Sequence, residues 1–143
     1  MGQIEQREKE LIEEFSMFED WMGKYEYIIE LGKALPVIDD KYKDDSHLIK
    51  GCQSRVWLHS ELKDGKIYFT ADSDAIITKG LIGLIIRVLS GNKPEEIVKA
   101  PMSFIDELGL KEHLSPTRSN GLLSMVKQMK LDALALSGNA NKS

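Results

Sequence analysis

Apolar side chains recur every three or four positions near the start of the chain, where Leu11, Ile12, Phe15, Phe18 and Met22 form one stripe of an amphipathic helix over residues 4–22. Gly23 interrupts that pattern. A second stripe of Tyr25, Ile28, Ile29, Gly32 and Leu35 leads up to Pro36, whose ring disfavours helical geometry at the preceding residue, so the spacing predicts a helix that stops there. Residues 39–46 mix both signs of charge with few apolar anchors and read as a surface loop. The period then changes to two. Val56 and Leu58, then Ile67, Phe69 and Ala71, alternate with other residues and predict strands over 54–61 and 66–71. Between them Asp64-Gly65 is a hairpin turn, because both residues tolerate the positive φ that tight turns demand. Residues 47–50 are a third, brief strand candidate.

Asp72-Ser73-Asp74 precedes a run rich in Ile and Leu over 76–89, too long for an ordinary strand. It reads as a helix buried on most sides, with Gly80 and Gly83 admitting a neighbouring backbone at some cost in helix propensity. A short polar side chain in that position is expected to cap the helix. Short helices are predicted over 94–99, with Pro94 in the first turn, and over 103–108, with Gly109 as terminator. The last helix is predicted from Ser119 or Asn120 to about Ser137, capped by Gly138, with residues 139–143 a polar tail. This order gives an α+β class, a small antiparallel sheet packed on one face by helices, in a single domain over residues 1–138.

Composition narrows the possible functions. A chain of 143 residues with 42% hydrophobic content can bury a core without covalent staples. Its 19 basic and 23 acidic residues leave a net charge of −4, which supplies no broad basic field for a phosphate backbone, so nucleic acid is not an expected partner. No leader-like pattern opens the sequence and no apolar stretch reaches the roughly 18 residues of a membrane span, so a soluble cytoplasmic protein is expected. There is one cysteine, Cys52. It cannot form an internal disulfide, and it supplies one of the four thiolates that usually hold a cluster or a closed zinc site, so neither a metal nor a cofactor is expected.

What remains is a thiol acting alone or a cysteine that only packs, since free cysteines are among the most buried residues. Cys52 lies between a short apolar run and the first clear strand. Gly51 lets the backbone turn there and lets another molecule's sulfur come near, while Lys50 and Arg55 are placed to favour the thiolate. His47, His59 and His113 are scattered over separate elements and none is assigned a catalytic role. Asp74 is a helix cap or a group with a further purpose. Arg118 precedes the final predicted helix, where a cation does not complement the helix dipole, so it is a surface or salt-bridging residue or part of a site.

Four stretches, in order, resemble the SufE/CsdE family of desulfurase partners. They are Tyr27-Ile28-Ile29-Glu30-Leu31-Gly32; Ile49-Lys50-Gly51-Cys52-Gln53-Ser54-Arg55-Val56-Trp57; Ala71-Asp72-Ser73-Asp74-Ala75 with Lys79-Gly80-Leu81; and His113-Leu114-Ser115-Pro116-Thr117-Arg118-Ser119-Asn120-Gly121-Leu122. The resemblance implies an IscU-like α+β fold and a role for Cys52 as acceptor of a persulfide sulfur from a SufS- or CsdA-like cysteine desulfurase, with delivery to a cluster scaffold or another acceptor. It also implies that the Cys52 loop swings between a sheltered site and the donor and that Asp74 helps hold the resting position; Arg118, if it is part of the site, would dock the desulfurase or steady the persulfide. The competing readings are a hydrolase or transferase pairing Cys52 with a histidine, a cluster scaffold, and an adaptor that stimulates a desulfurase without carrying sulfur.

Overall fold

The computed structural model describes residues 2–141. Among them are seven α-helices and one two-stranded sheet: α1 (Gln3–Ser16), α2 (Trp21–Lys33), β1 (Val56–Lys63), β2 (Lys66–Ser73), α3 (Ile76–Leu89), α4 (Pro94–Lys99), α5 (Phe104–Glu107), α6 (Leu110–His113) and α7 (Pro116–Asn141). The strands pair antiparallel from Val56 against Ser73 to Lys63 against Lys66, and the turn residues Asp64 and Gly65 have φ of 53° and 79°, as the hairpin reading requires. Val56, Leu58, Ile67, Phe69 and Ala71 point into the core, which α3 and α7 close from that side. Both flanks of the hairpin are partly covered. Backbone bonds tie Ala71 to Pro36 and Ile38 on one side, and the Ile49 N–H donates to the Val56 carbonyl on the other.

α3 is buried on most sides, as expected, and its glycines are needed. A Cβ at Gly80 would collide with the Ile28 carbonyl of α2, and one at Gly83 would stand 2.9 Å from the Leu31 carbonyl, so the two helices cross with backbones nearly touching.

Several boundaries differ from those the sequence predicts. The first helix stops at Ser16, because Asp20 begins a new one: its side chain accepts the Gly23 N–H at 2.9 Å. Gly23 therefore lies inside α2, and Met22, counted on the buried stripe, is 69% exposed. The third strand candidate reduces to a single bridge between Leu48 and Trp57, since a 3₁₀ turn over Asp45–His47 uses up the preceding residues. Gly109 ends α5 with φ 74°, and α6 follows unannounced. The final helix starts earlier, at Pro116, with Ser115 as its cap: the Ser115 hydroxyl accepts the Arg118 N–H at 3.2 Å. At its other end α7 runs through Gly138 to Asn141, so Gly138 is not a terminator. The remainder of the tail, Lys142 and Ser143, lies outside the described residues. No helix among the described residues is long and apolar enough to cross a membrane.

Candidate functional site: the Cys52 cavity

Cys52 lies in the irregular segment between the Leu48 bridge and β1. Gly51 makes the segment possible. Its φ of 93° is a left-handed conformation that side chains rarely adopt, and a Cβ there would collide with the Ser124 hydroxyl of α7. The glycine thus serves a close approach to α7 as well as a turn. On the far side of Cys52, the Asp74 carboxylate accepts the Arg55 N–H at 3.1 Å, the Arg55 carbonyl accepts the Asp74 N–H at 3.3 Å, and the Ser73 hydroxyl donates to that carbonyl at 2.8 Å. The loop is therefore pinned three residues after the cysteine.

This arrangement corrects the capping expectation. α3 begins at Ile76 with Ala75 as its cap residue and no side-chain cap bond. Asp74 is spent on Arg55. Asp72 is paired with Lys43 at 2.8 Å and Lys79 at 3.3 Å; burial alone would raise its pKa, but hydrogen bonds from Lys43, the Ser73 N–H and Lys79 outweigh that and lower it.

The thiol is half-buried and donates a weak hydrogen bond to the Gly121 carbonyl of α7 at 3.6 Å. A Cβ at Gly121 would stand 3.6 Å from Sγ, an ordinary contact, so α7 passes directly beside the thiol. Burial pushes the Cys52 thiol above its ordinary pKa. The expectation that Lys50 and Arg55 favour the thiolate is thus not met in this conformation: desolvation is the cause of the shift, and no cation offsets it.

Beside the thiol opens a cavity of about 380 Å³. The apolar side chains of Leu81 and Met125 line it, together with Gln53, Ser54, Thr78, Ser115, Thr117 and Arg118. Arg118 is exposed and, among the described residues, forms no ion pair. Two of the four residues singled out in the sequence, Cys52 and Arg118, therefore share one cavity; Gly51 and Asp74 lie outside its lining and hold the loop. Thr78 was missed. It is a helix residue inside an Ile- and Leu-rich run, and only the fold turns it toward the thiol.

No histidine lines this cavity. His59 stacks on Tyr42 with ring centroids 3.8 Å apart, His47 bonds Asp44 at 2.8 Å, and His113 stacks on Trp21 at 3.8 Å. A cysteine–histidine dyad is not formed. Nor do three or more His, Cys, Asp or Glu side chains among the described residues converge as a metal site would require.

The sequence profile of the SufE family, described as an Fe-S metabolism associated domain, matches residues 9–133. An uncharacterised SufE-like protein of Rhizobium meliloti (strain 1021) is 35% identical over 129 residues, covering 87% of this chain and 92% of that protein. SufE-like protein 1 of Arabidopsis thaliana, named as chloroplastic/mitochondrial, is 36% identical over 129 residues; the match takes in 90% of this chain and 35% of that longer one. An uncharacterised SufE-like protein of Synechocystis is 36% identical over 125 residues, 87% of this chain and 79% of that protein. The solution structure of a hypothetical protein from Thermus thermophilus matches with a TM-score of 0.75 over 90% of this chain and 94% of its own, and at 21% identity it speaks for the fold alone. The family match places the chain among proteins associated with iron–sulfur metabolism. The chain belongs to the SufE family.

Proposed function

We propose that this protein accepts sulfane sulfur on Cys52 from a cysteine desulfurase of the SufS or CsdA kind, stimulates that enzyme by relieving it of its sulfur, and passes the sulfur to a cluster scaffold or another acceptor. The observation that carries this reading is the state of the one cysteine: a half-buried thiol on a pinned loop, bonded to a single carbonyl, with a cavity beside it.

The chemistry follows from burial. The thiolate is the nucleophile in sulfur exchange, and burial without a compensating cation favours the protonated form, so the closed loop keeps Cys52 unreactive. Opening the loop breaks the weak S–H···O contact, loosens the Arg55–Asp74 bonds and returns the thiol to water, where the desolvation penalty is lifted. The exposed thiolate then attacks the outer sulfur of the donor's persulfide, the donor thiolate leaves, and no metal is required. A second thiol nearby would resolve the product to a disulfide and release sulfide. This chain has none. Closure would shelter the loaded sulfur beside Leu81 and Met125.

Lys50, Arg55 and Arg118 are exposed, and a partner docked on such groups binds and leaves readily. Its affinity is expected to fall as salt rises, since exposed charges more than about 10 Å apart are largely screened near 0.1 M ionic strength. We place the work in the cytoplasm on compositional grounds, although the Arabidopsis relative carries an organellar name.

Cys52→Ser tests the proposal. The variant is expected to fold normally, to take up no sulfur from a desulfurase supplied with cysteine, and to lose the stimulation of that enzyme. Stimulation at the wild-type level would instead leave an adaptor that carries nothing.

A further inference from the structure

Shelter for a sulfur atom calls for an apolar pocket, yet about half of the wall facing Cys52 is polar. Hydroxyls of Ser54, Thr78, Ser115 and Thr117 line the cavity with the Arg118 guanidinium, and no acidic side chain does. Thr78 is 7% exposed, and its hydroxyl has no hydrogen-bond partner among the described residues. The hydroxyl oxygen keeps some solvent access, so it is open to the cavity and free to donate to an acceptor there. Ser115, Thr117 and Arg118 belong to the cap and first turn of the 26-residue α7, where the dipole favours negative charge, although the Arg118 and Ser119 N–H groups are already taken by the Ser115 hydroxyl and carbonyl. Donors and a cation with no opposing carboxylate suit a small anion bearing several oxygens. A sulfur nucleophile stands in the same cavity, which distinguishes it from a generic phosphate or sulfate site.

We infer that the cavity binds a small sulfur oxoanion, and that sulfite bound there removes the sulfane sulfur from loaded Cys52 as thiosulfate. This rests on the reading that Cys52 carries sulfur. The sulfite lone pair attacks the outer sulfur of the Cys52 persulfide anion, and a bond forms between those two sulfur atoms. The bond from the outer sulfur to Cys52 Sγ breaks, its electron pair staying on Sγ. One persulfide anion and one sulfite dianion thus become one thiolate and one thiosulfate dianion, with no outside oxidant or reductant. The thiolate takes a proton from water and returns to the Gly121 carbonyl. Run backwards, the same step loads Cys52 from thiosulfate without a desulfurase.

The test starts from protein loaded with sulfane sulfur, once by a desulfurase and once by inorganic polysulfide, with loading confirmed by intact mass. Sulfite is then titrated and thiosulfate measured. The expected rate saturates with sulfite, yields one thiosulfate per loaded Cys52, and is competitively inhibited by sulfate. Thr78→Val and Arg118→Gln should each raise the half-saturating sulfite concentration roughly tenfold, as loss of one charge-assisted hydrogen bond would, and Thr78→Ser should restore it. A rate that stays linear in sulfite and indifferent to sulfate and to both variants would overturn the inference, because sulfite would then be attacking an exposed persulfide without a site, while sulfur carriage would stand. Failure to load by either route would sink the carriage reading and the transfer step together. Sulfate binding to unloaded protein, followed by thermal shift, decides the site separately: saturable binding weakened in Thr78→Val supports it, and no binding overturns it.

Discussion

Two hollows lie along α7, and they differ in a way that size does not reveal. The larger, about 720 Å³, is bordered by Asp45, His47, Lys50, His59 and Asp132; the smaller, about 380 Å³, holds Cys52. A search guided by volume and by the number of titratable groups would choose the first. Several of its groups, however, are already engaged: Asp132 accepts from Ser60 at 2.7 Å and from Gln128 at 2.8 Å, His47 is bound to Asp44, and His59 lies flat on Tyr42, while Asp45 and Lys50 stand at its exposed rim with no nucleophile beside them. In the smaller hollow the thiol has one weak acceptor, while the Thr78 hydroxyl and the Arg118 guanidinium have no side-chain partner among the described residues. Satisfied groups hold a fold together. Unsatisfied ones beside a nucleophile are available for chemistry.

The contrast is sharpest for substitutions that open one hollow and leave the other alone. Gly51→Ala should have the largest effect, because it combines a strained positive φ with a collision against Ser124. The φ cost alone is about 1–2 kcal/mol, so alkylation of Cys52 by a small reagent should accelerate more than about tenfold through loop opening. Adding Ser124→Gly should recover only the steric part. Asp74→Ala removes an acceptor worth about 1 kcal/mol and should speed alkylation roughly fivefold, whereas Asp74→Asn, which keeps an acceptor oxygen, should do less. Unchanged alkylation in Asp74→Ala, with the fold intact by circular dichroism, would separate Asp74 from the loop.

A pH series sharpens the comparison further. Since burial raises the Cys52 pKa, the midpoint of the alkylation profile should lie higher in the native protein than in the same protein unfolded in urea. Coincident midpoints would mean that the closed loop does not disfavour the thiolate. In the larger hollow the shift has the opposite sense: burial first, then His47, lowers the His59 pKa. The stability owed to that neutral ring is present above the ordinary imidazole value of about 6.5 and is lost as pH falls through the lowered one. His59→Phe should flatten that acid limb. It should also keep the Tyr42 stack, change stability by no more than about 0.5 kcal/mol near neutral pH, and leave Cys52 alkylation untouched. A His59→Phe protein that lost sulfur uptake would join the two hollows into one site.

Much of this was readable before any coordinates. The hairpin followed from Asp64-Gly65 between two alternating runs, and α3 from an Ile- and Leu-rich run too long for a strand, because both are local patterns. The break after Ser16 and the start of α7 are local too, but their signals are single capping residues, Asp20 and Ser115, each easily outvoted by apolar periodicity. Cys52 stood out by being alone. Its resting state did not, because the Gly121 carbonyl that holds the thiol lies 69 residues further along the chain. Lys50 and Arg55 next to Cys52 in sequence suggested a depressed pKa, and the fold turned that inference around: Lys50 borders the other hollow, and Arg55 is engaged through its backbone.

The central claim is that Cys52 receives sulfur. Protein incubated with a cysteine desulfurase and cysteine, desalted without reductant and digested, should yield the peptide containing Cys52 heavier by one sulfur atom, with the added mass removed by a thiol reductant. A Cys52 peptide of unaltered mass, under conditions in which the desulfurase itself is seen to carry a persulfide, would contradict the account.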